Sequence, residues 1–303
     1  MNKNIFSAIA VMAVILILFA SSGAECQKTT VKTNTTALAM NFVENAPPTE
    51  MVPRQTYQIY VDVVNTGAAD IAAGSANFYL SGFSPDIISG FTEKAQNANF
   101  LSGEKDFYEG GKERIVFAEA AQPAELKAKF NSSMKVDACY KYMNSVRSKI
   151  CVGKTGSICS ISGNKLKDGE NSAGPVQVTN ISEKVEGDKI FITAVIENKL
   201  KGSGEVYLSN ANCDLLQANN LNEKSKINLV EATVTTGSGF ECNLQSLDSS
   251  HAPVKGTTGM AYVGSLVCYK TMSADEQMTE IPFTIDMAYV FRQSITKGFA
   301  ILP

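Results

Sequence analysis

The feature that most constrains the fold is a diverged internal repeat. Ile59-Tyr60-Val61-Asp62-Val63-Val64-Asn65 aligns with Ile192-Thr193-Ala194-Val195-Ile196-Glu197-Asn198, each placing aliphatic residues at alternate positions and ending in Asn. Further along, Phe78-Tyr79-Leu80-Ser81 aligns with Val206-Tyr207-Leu208-Ser209, and Cys139-Tyr140-Lys141-Tyr142-Met143-Asn144-Ser145-Val146 with Ala288-Tyr289-Val290-Phe291-Arg292-Gln293-Ser294-Ile295. The order is kept while the offsets change (133, 128 and 149), so length has varied between the matched segments, where loops tolerate it.

Each matched segment has the period of a strand. Phe130, Met134, Val136, Ala138, Tyr140 and Tyr142 share one face; Asn131, Ser133, Lys135, Asp137 and Lys141 share the other. Ile281, Phe283, Ile285, Met287, Tyr289 and Phe291 repeat the apolar face. Turn residues at Asn65-Thr66-Gly67, Ser81-Gly82, Gly110-Gly111 and Gly202-Ser203-Gly204 separate short strands, predicting an all-β chain of two tandem antiparallel sandwiches. Short helical turns are expected only near Glu93 to Asn97 and Asp214 to Asn220. The domains are predicted at 37–158 and 175–303, with a polar linker at 159–174 rich in Gly and Ser.

Ahead of them lies a leader. Lys3 precedes an uncharged run from Ile5 to Ala24, which reads as a signal peptide or membrane anchor over residues 1–26, followed by a threonine-rich stalk at 27–36. Ser22-Gly23-Ala24 resembles a cleavage site, and if the segment is retained Lys3 would leave the rest outside. Cys26 occupies a lipoprotein-like position and is a lipidation candidate, although Glu25 breaks the usual small-residue pattern; the alternative is a spare thiol. The chain is thus expected to be extracytoplasmic, secreted or membrane-anchored.

Six further cysteines suit an oxidising exterior. A hairpin over Val136 to Val152 turning at Ser145 would set Cys139 opposite Cys151 and Tyr140 opposite Ile150. Cys242 and Cys268 flank one loop, leaving Cys159 for Cys213, among the fifteen pairings that six cysteines permit. Asn34, Asn131 and Asn180 begin glycosylation sequons.

The residues offer little chemistry. His251 is the single histidine, without a Gly-x-Ser-x-Gly elbow to accompany a triad. Ser-x-x-Lys occurs at Ser102, Ser132, Ser162 and Ser294 with no Lys-Thr-Gly companion. No cofactor is expected; calcium is the alternative, at Asp168 with Glu170 or Glu104 with Asp106 and Glu109, though these lack the Asp-x-Asp-x-Asp-Gly loop. A net charge of −3 with no clustered Lys and Arg argues against nucleic acid.

The run Val61-Asp62-Val63-Val64-Asn65-Thr66-Gly67, followed by Asp70-Ile71 and Tyr79-Leu80-Ser81-Gly82-Phe83, resembles the CARDB-type immunoglobulin-like domains of archaeal and bacterial surface proteins. The second copy departs from it with Asn198-Lys199-Leu200-Lys201-Gly202. The resemblance implies seven-stranded sandwiches used as spacers or adhesion modules, with no catalytic residues. The expected function is therefore a non-enzymatic structural or adhesion module of the cell envelope. A protein or glycan partner would meet the Phe83 to Lys112 loops through Phe91, Phe100 and Phe107. The alternatives are a subunit of an envelope assembly or filament built by strand addition, and a secreted hydrolase.

Overall fold

The alternating sequence folds almost entirely as strand. A computed structural model describes residues 35–105, 108–247, 253–254 and 256–303. The first half contributes β1 (Leu38–Phe42), β2 (Glu50–Met51), β3 (Tyr57–Asn65), β4 (Ala76–Ser81), β5 (Ile88–Ser89), β6 (Lys94–Gln96), β7 (Lys112–Pro123) and β8 (Phe130–Val152). The second contributes β9 (Val176–Glu186), β10 (Lys189–Asn198), β11 (Gly204–Leu208), β12 (Leu229–Thr235), β13 (Glu241–Cys242), β14 (Leu244–Gln245), β15 (Pro253–Val254), β16 (Thr258–Tyr262), β17 (Ser265–Thr271) and β18 (Thr279–Ile301). Between β11 and β12 lie two short helices, α1 (Cys213–Gln217) and α2 (Leu221–Lys224), capped by Asn212 and Asn220, whose side chains accept the first free N–H groups. Helix α1 overlaps the expected helical turn, starting one residue earlier. The other expected turn, Glu93 to Asn97, is instead the strand β6, whose Ala95 pairs with Phe78 and packs on the core.

Two four-stranded sheets, β1-β3-β7-β5 and β13-β17-β10-β9, accompany a ten-stranded sheet in which β8 and β18 are central neighbours. These two strands, 23 residues each, pair antiparallel from Val152↔Thr279 to Phe130↔Ile301 without a break. The expected turn at Ser145 does not exist: Ser145 faces Asp286, Tyr140 faces Phe291 and Ile150 faces Ile281. Nothing between Met143 and Arg147 supplies the Gly or Pro of a tight reversal, and the Asn144 side chain is committed elsewhere, donating to Ser172 O at 3.0 Å and accepting from the Tyr289 hydroxyl.

Because the ladder is continuous, each long strand serves both halves of the chain. The late part of β18 lies against the first half: Gln293 Nε2 donates to Leu38 O at 2.6 Å, and Ala300 and Ile301 pair in parallel with β2. The late part of β8 reciprocates, with Cys151 N–H donating to Glu183 of β9. The described residues accordingly form one compact unit, and one continuous apolar core runs through it. Segment 159–174 folds back along β8, where Arg147 N–H donates to Glu170 O and Ser172 N–H to Ser145 O. Both predicted apolar faces are inside. Met134 through Tyr142 and Phe283 through Phe291 are buried at alternate positions, each large side chain contributing roughly 1.5–3 kcal/mol of transfer free energy. Phe130, at the strand end, stays 36% exposed.

The strand-ending asparagines show how the repeat was conserved while its turn changed. Asn65 Oδ1 accepts from Gly67 N at 3.1 Å, and Asn198 Oδ1 from Leu200 N at 3.0 Å, the same side-chain turn in both halves. In the first half Gly67 comes against Tyr142 so closely that a Cβ would overlap its hydroxyl. In the second, Gly204 comes equally close to the ring of Phe291, which is the repeat counterpart of Tyr142.

All six of the cysteines after Cys26 are bonded. Cys242–Cys268 matches expectation, but Cys139 pairs with Cys213 and Cys151 with Cys159, replacing the expected Cys139–Cys151 and Cys159–Cys213. The expected pairing followed from the Ser145 turn. On a continuous strand the two cysteines point outward twelve positions apart, and each takes the partner that crosses above it: α1 for Cys139, the returning segment for Cys151.

Candidate functional site

On the outer face of the ten-stranded sheet, α1 crosses over β4, β8, β11 and β18. Buried Tyr79, Cys139, Tyr207, Ala211, Leu216 and Val290 form a separate small core beneath that helix, locked by Cys139–Cys213. The helix stands on the sheet as a wall, with a depression on either side of Lys94. The larger, about 530 Å³, lies over the junction of the two halves. Its floor includes Val290 and Ala211, and its rim carries Asn77, Gln96, Lys141 and Asn210. The smaller, about 310 Å³, is lined by Tyr79, Phe83, Phe91, Glu93 and Gln217.

The divider is an ion pair. Lys94 Nζ lies 2.5 Å from Asp214 Oδ1, which also accepts from the Tyr79 hydroxyl at 2.8 Å. Lys94 and then Tyr79 hold the Asp214 carboxyl below its ordinary range, while burial, followed by the bond to Asp214, pushes Tyr79 up. Below α1, Arg292 holds Gln217 Oε1 at 2.9 Å and lies 3.5 Å from Asp137. Tyr207 is pushed up to about 12 by burial and its bond to Glu205. These phenols stay protonated through the physiological range, so the wall is a fixed hydrogen-bonded frame.

On the rim many polar groups remain uncommitted. Gln96 Nε2 donates to Asn77 Oδ1 at 2.8 Å, and Asn212 Oδ1 caps α1. Asn77 Nδ2, Gln96 Oε1, Asn212 Nδ2 and the whole side-chain amide of Asn210 have no partner among the described residues. Lys141, exposed on β8, forms no ion pair there either. The arrangement can bind a polar ligand by hydrogen bonds and one net positive charge.

Of the sequence-derived candidates, Phe91 is brought to this surface. It is half-buried, packing on Phe83 with ring centroids 4.9 Å apart. Phe100 is 58% exposed outside either depression, and Phe107 lies outside the described residues. Asn131 is exposed and Asn180 half-buried; Asn34, Cys26, His251 and Asp106 lie outside the described residues. Asp168 is exposed, Glu170 accepts from Lys167 N–H, and Glu109 pairs with Lys112. No group of three or more His, Cys, Asp or Glu gathers around a common metal position among the described residues. Sequence reasoning missed Asn77, Lys141 and Asn210. Lys141 was legible as a polar-face residue, but its neighbours come from strands and a helix remote in sequence.

No known family model matches the chain, and no curated protein does. Among solved structures, the secreted serine protease VesC from Vibrio cholerae is similar at 9% identity and a TM-score of 0.19, over 88% of this chain and 51% of that one. The chain thus spans about half the length of that protein. A structure described as the triple jelly roll fold and turret assembly in an archaeal virus is similar at 8% identity and a TM-score of 0.13, over 86% of this chain and 90% of that one. Likenesses this faint carry no argument about fold or function.

Proposed function

We propose that this chain is a non-enzymatic structural and binding module of the cell envelope, with two immunoglobulin-like, CARDB-type repeats sharing one sheet. Three disulfides suggest an oxidising, extracytoplasmic setting. The observation that carries the reading is the Cys139–Cys213 bridge above the unbroken β8–β18 ladder. It cross-links the first half to the second and props α1 over a polar groove, as suits a stiff platform that presents a recognition surface. A membrane role for the leader and contact with an envelope protein or glycan belong to the same reading. The test is surface labelling of intact cells with a membrane-impermeant amine reagent, followed by gene deletion. The chain should be labelled, and its loss should alter attachment or envelope integrity. A chain labelled only after lysis would sink the proposal.

A specific feature favours the filament alternative. On its edge away from β8, β18 pairs with β11 as far as Gln293 and resumes pairing with β2 at Ala300. Ala300 N–H points to that edge, so by alternation Ser294, Thr296 and Gly298 present their backbone groups there with no hydrogen-bonded strand among the described residues, although β1 runs close by, across a depression of about 410 Å³ lined by Met40, Phe42, Ile295 and Lys297. A strand from another copy could add at this gap. Light scattering of concentrated purified chain tests it: Thr296→Pro should abolish any large oligomers formed by the wild type, and a wild type that stays monomeric removes this alternative.

A further inference from the structure

We infer that the groove beside α1 binds an acidic oligosaccharide, one bearing isolated carboxylates in an otherwise neutral sugar chain. This rests on the envelope-module reading and names the ligand class of its surface.

Three observations select that chemistry. The rim is built from carboxamides. Asn77, Asn210 and Asn212 retain free donors and Gln96 and Asn210 free acceptors, and a carboxamide complements hydroxyl groups, which both donate and accept. A peptide would be held differently, by backbone ladder bonds along a strand edge. The floor strands offer none: β4 is bonded to β6 and β8, β8 to β4 and β18, and β18 at Val290 to β8 and β11, so the only free edge beside the groove among the described residues is the three-residue β6 at the rim. Over the floor, recognition therefore falls to side chains.

The charge sets the rest. Lys94 is neutralised by Asp214, while Arg292 and Lys135 share Asp137 and Arg292 also lies by Glu205, which leaves Lys141 as the groove's one uncompensated cation among the described residues. One lysine matches one carboxylate. A phosphate monoester, close to doubly charged, would call for a further cation. Beyond the Lys94–Asp214 divider the same surface continues to Tyr79, Phe83 and Phe91, whose apolar edges suit the C–H faces of a second sugar unit.

The experiment is titration of the purified full chain, followed by amide NMR or calorimetry. The probes are a trisaccharide carrying a single uronate unit, the neutral trisaccharide made by reducing that carboxyl group, and an oligoglutamate peptide. Wild type should bind the single-uronate trisaccharide about two- to fivefold more tightly than the neutral sugar, the worth of one exposed charge pair. Lys141→Gln should erase that preference, bringing the two sugars to equal affinity, and Lys141→Arg should keep it. Asn210→Ala should weaken both sugars alike. Lys141 is exposed, so these variants keep the fold, and unchanged melting would confirm it. Equal affinity of the wild type for the two sugars, no effect of Lys141→Gln, absence of sugar binding, or tighter binding of oligoglutamate would each overturn the inference. Any of these would leave the envelope-module reading intact, because that reading falls on surface labelling instead.

Discussion

Lys141 lies directly opposite Val290 across the β8–β18 ladder, and these are the two residues that the internal repeat equates. The halves therefore meet about a local twofold axis through this pair, each long strand crossing from its own half into the other. On the inner side of the axis Tyr142 faces Tyr289 and Tyr140 faces Phe291, with ring centroids 6.2 and 6.1 Å apart. On the outer side, beside Lys141, lies the polar groove.

The bridge across the halves should matter more than the local one. Cys139–Cys213 spans 74 positions and Cys151–Cys159 only 8. On loop-closure entropy, Cys139→Ser with Cys213→Ser should cost about 4.5 kcal/mol, and Cys151→Ser with Cys159→Ser about 2.5 kcal/mol. Denaturant midpoints with unchanged slopes would check the order, and a reversal would refute it.

The aromatic hydroxyls at the axis are not equivalent. Tyr140 Oη is buried without a hydrogen-bond partner, whereas Tyr289 Oη donates to Asn144 Oδ1. Tyr140→Phe should be neutral or stabilising by up to about 1 kcal/mol, while Tyr289→Phe should cost about 1–3 kcal/mol by stranding the Asn144 carbonyl. Thermal melting of the two single variants distinguishes them.

Close approach fixes Gly67. Gly67→Ala should destabilise by about 1–3 kcal/mol through overlap with the Tyr142 hydroxyl. In the Tyr142→Phe background, where the hydroxyl is gone, the same change should cost less. A double-mutant cycle measures the difference, and additive losses would show that the clash lies elsewhere.

Glu183 makes stability depend on pH. Its buried carboxyl accepts from Cys151 N–H and lies 3.3 Å from Lys165 Nζ. Burial raises its pKa above the ordinary 4.5, with those two partners opposing the rise. The folded state therefore holds the proton more tightly than the unfolded state. Its contribution is full below about 4.5 and declines as pH rises from there through the folded value. Relative to Glu183→Gln, the wild type should lose stability over that window, measured as midpoints at stepped pH; a constant difference would dismiss Glu183 as the source.

The strands were legible because alternation is local: the faces of β8 and β18, the Asn65 and Asn198 turns and the Cys242–Cys268 pair follow from residues near one another in the chain. The Ser145 turn was misread because a hairpin and a long strand share the same period-two pattern. Only the length of the partner decides between them, and β18 supplies a partner of full length. The wrong turn carried the wrong cysteine pairs with it. The groove was illegible for a related reason, since Asn77, Lys141 and Asn210 sit on separate elements joined only by sheet pairing and the bridge to α1.

By itself the sequence determined that this chain is all-β, duplicated and cysteine-bridged, because side-chain alternation, turn chemistry and composition act over a few residues. Tertiary structure decided that the two copies share one ladder about Lys141 and Val290, which cysteines meet, and where a polar groove opens. Those outcomes depend on strand register and on crossings between segments far apart in the chain, and no local pattern encodes either.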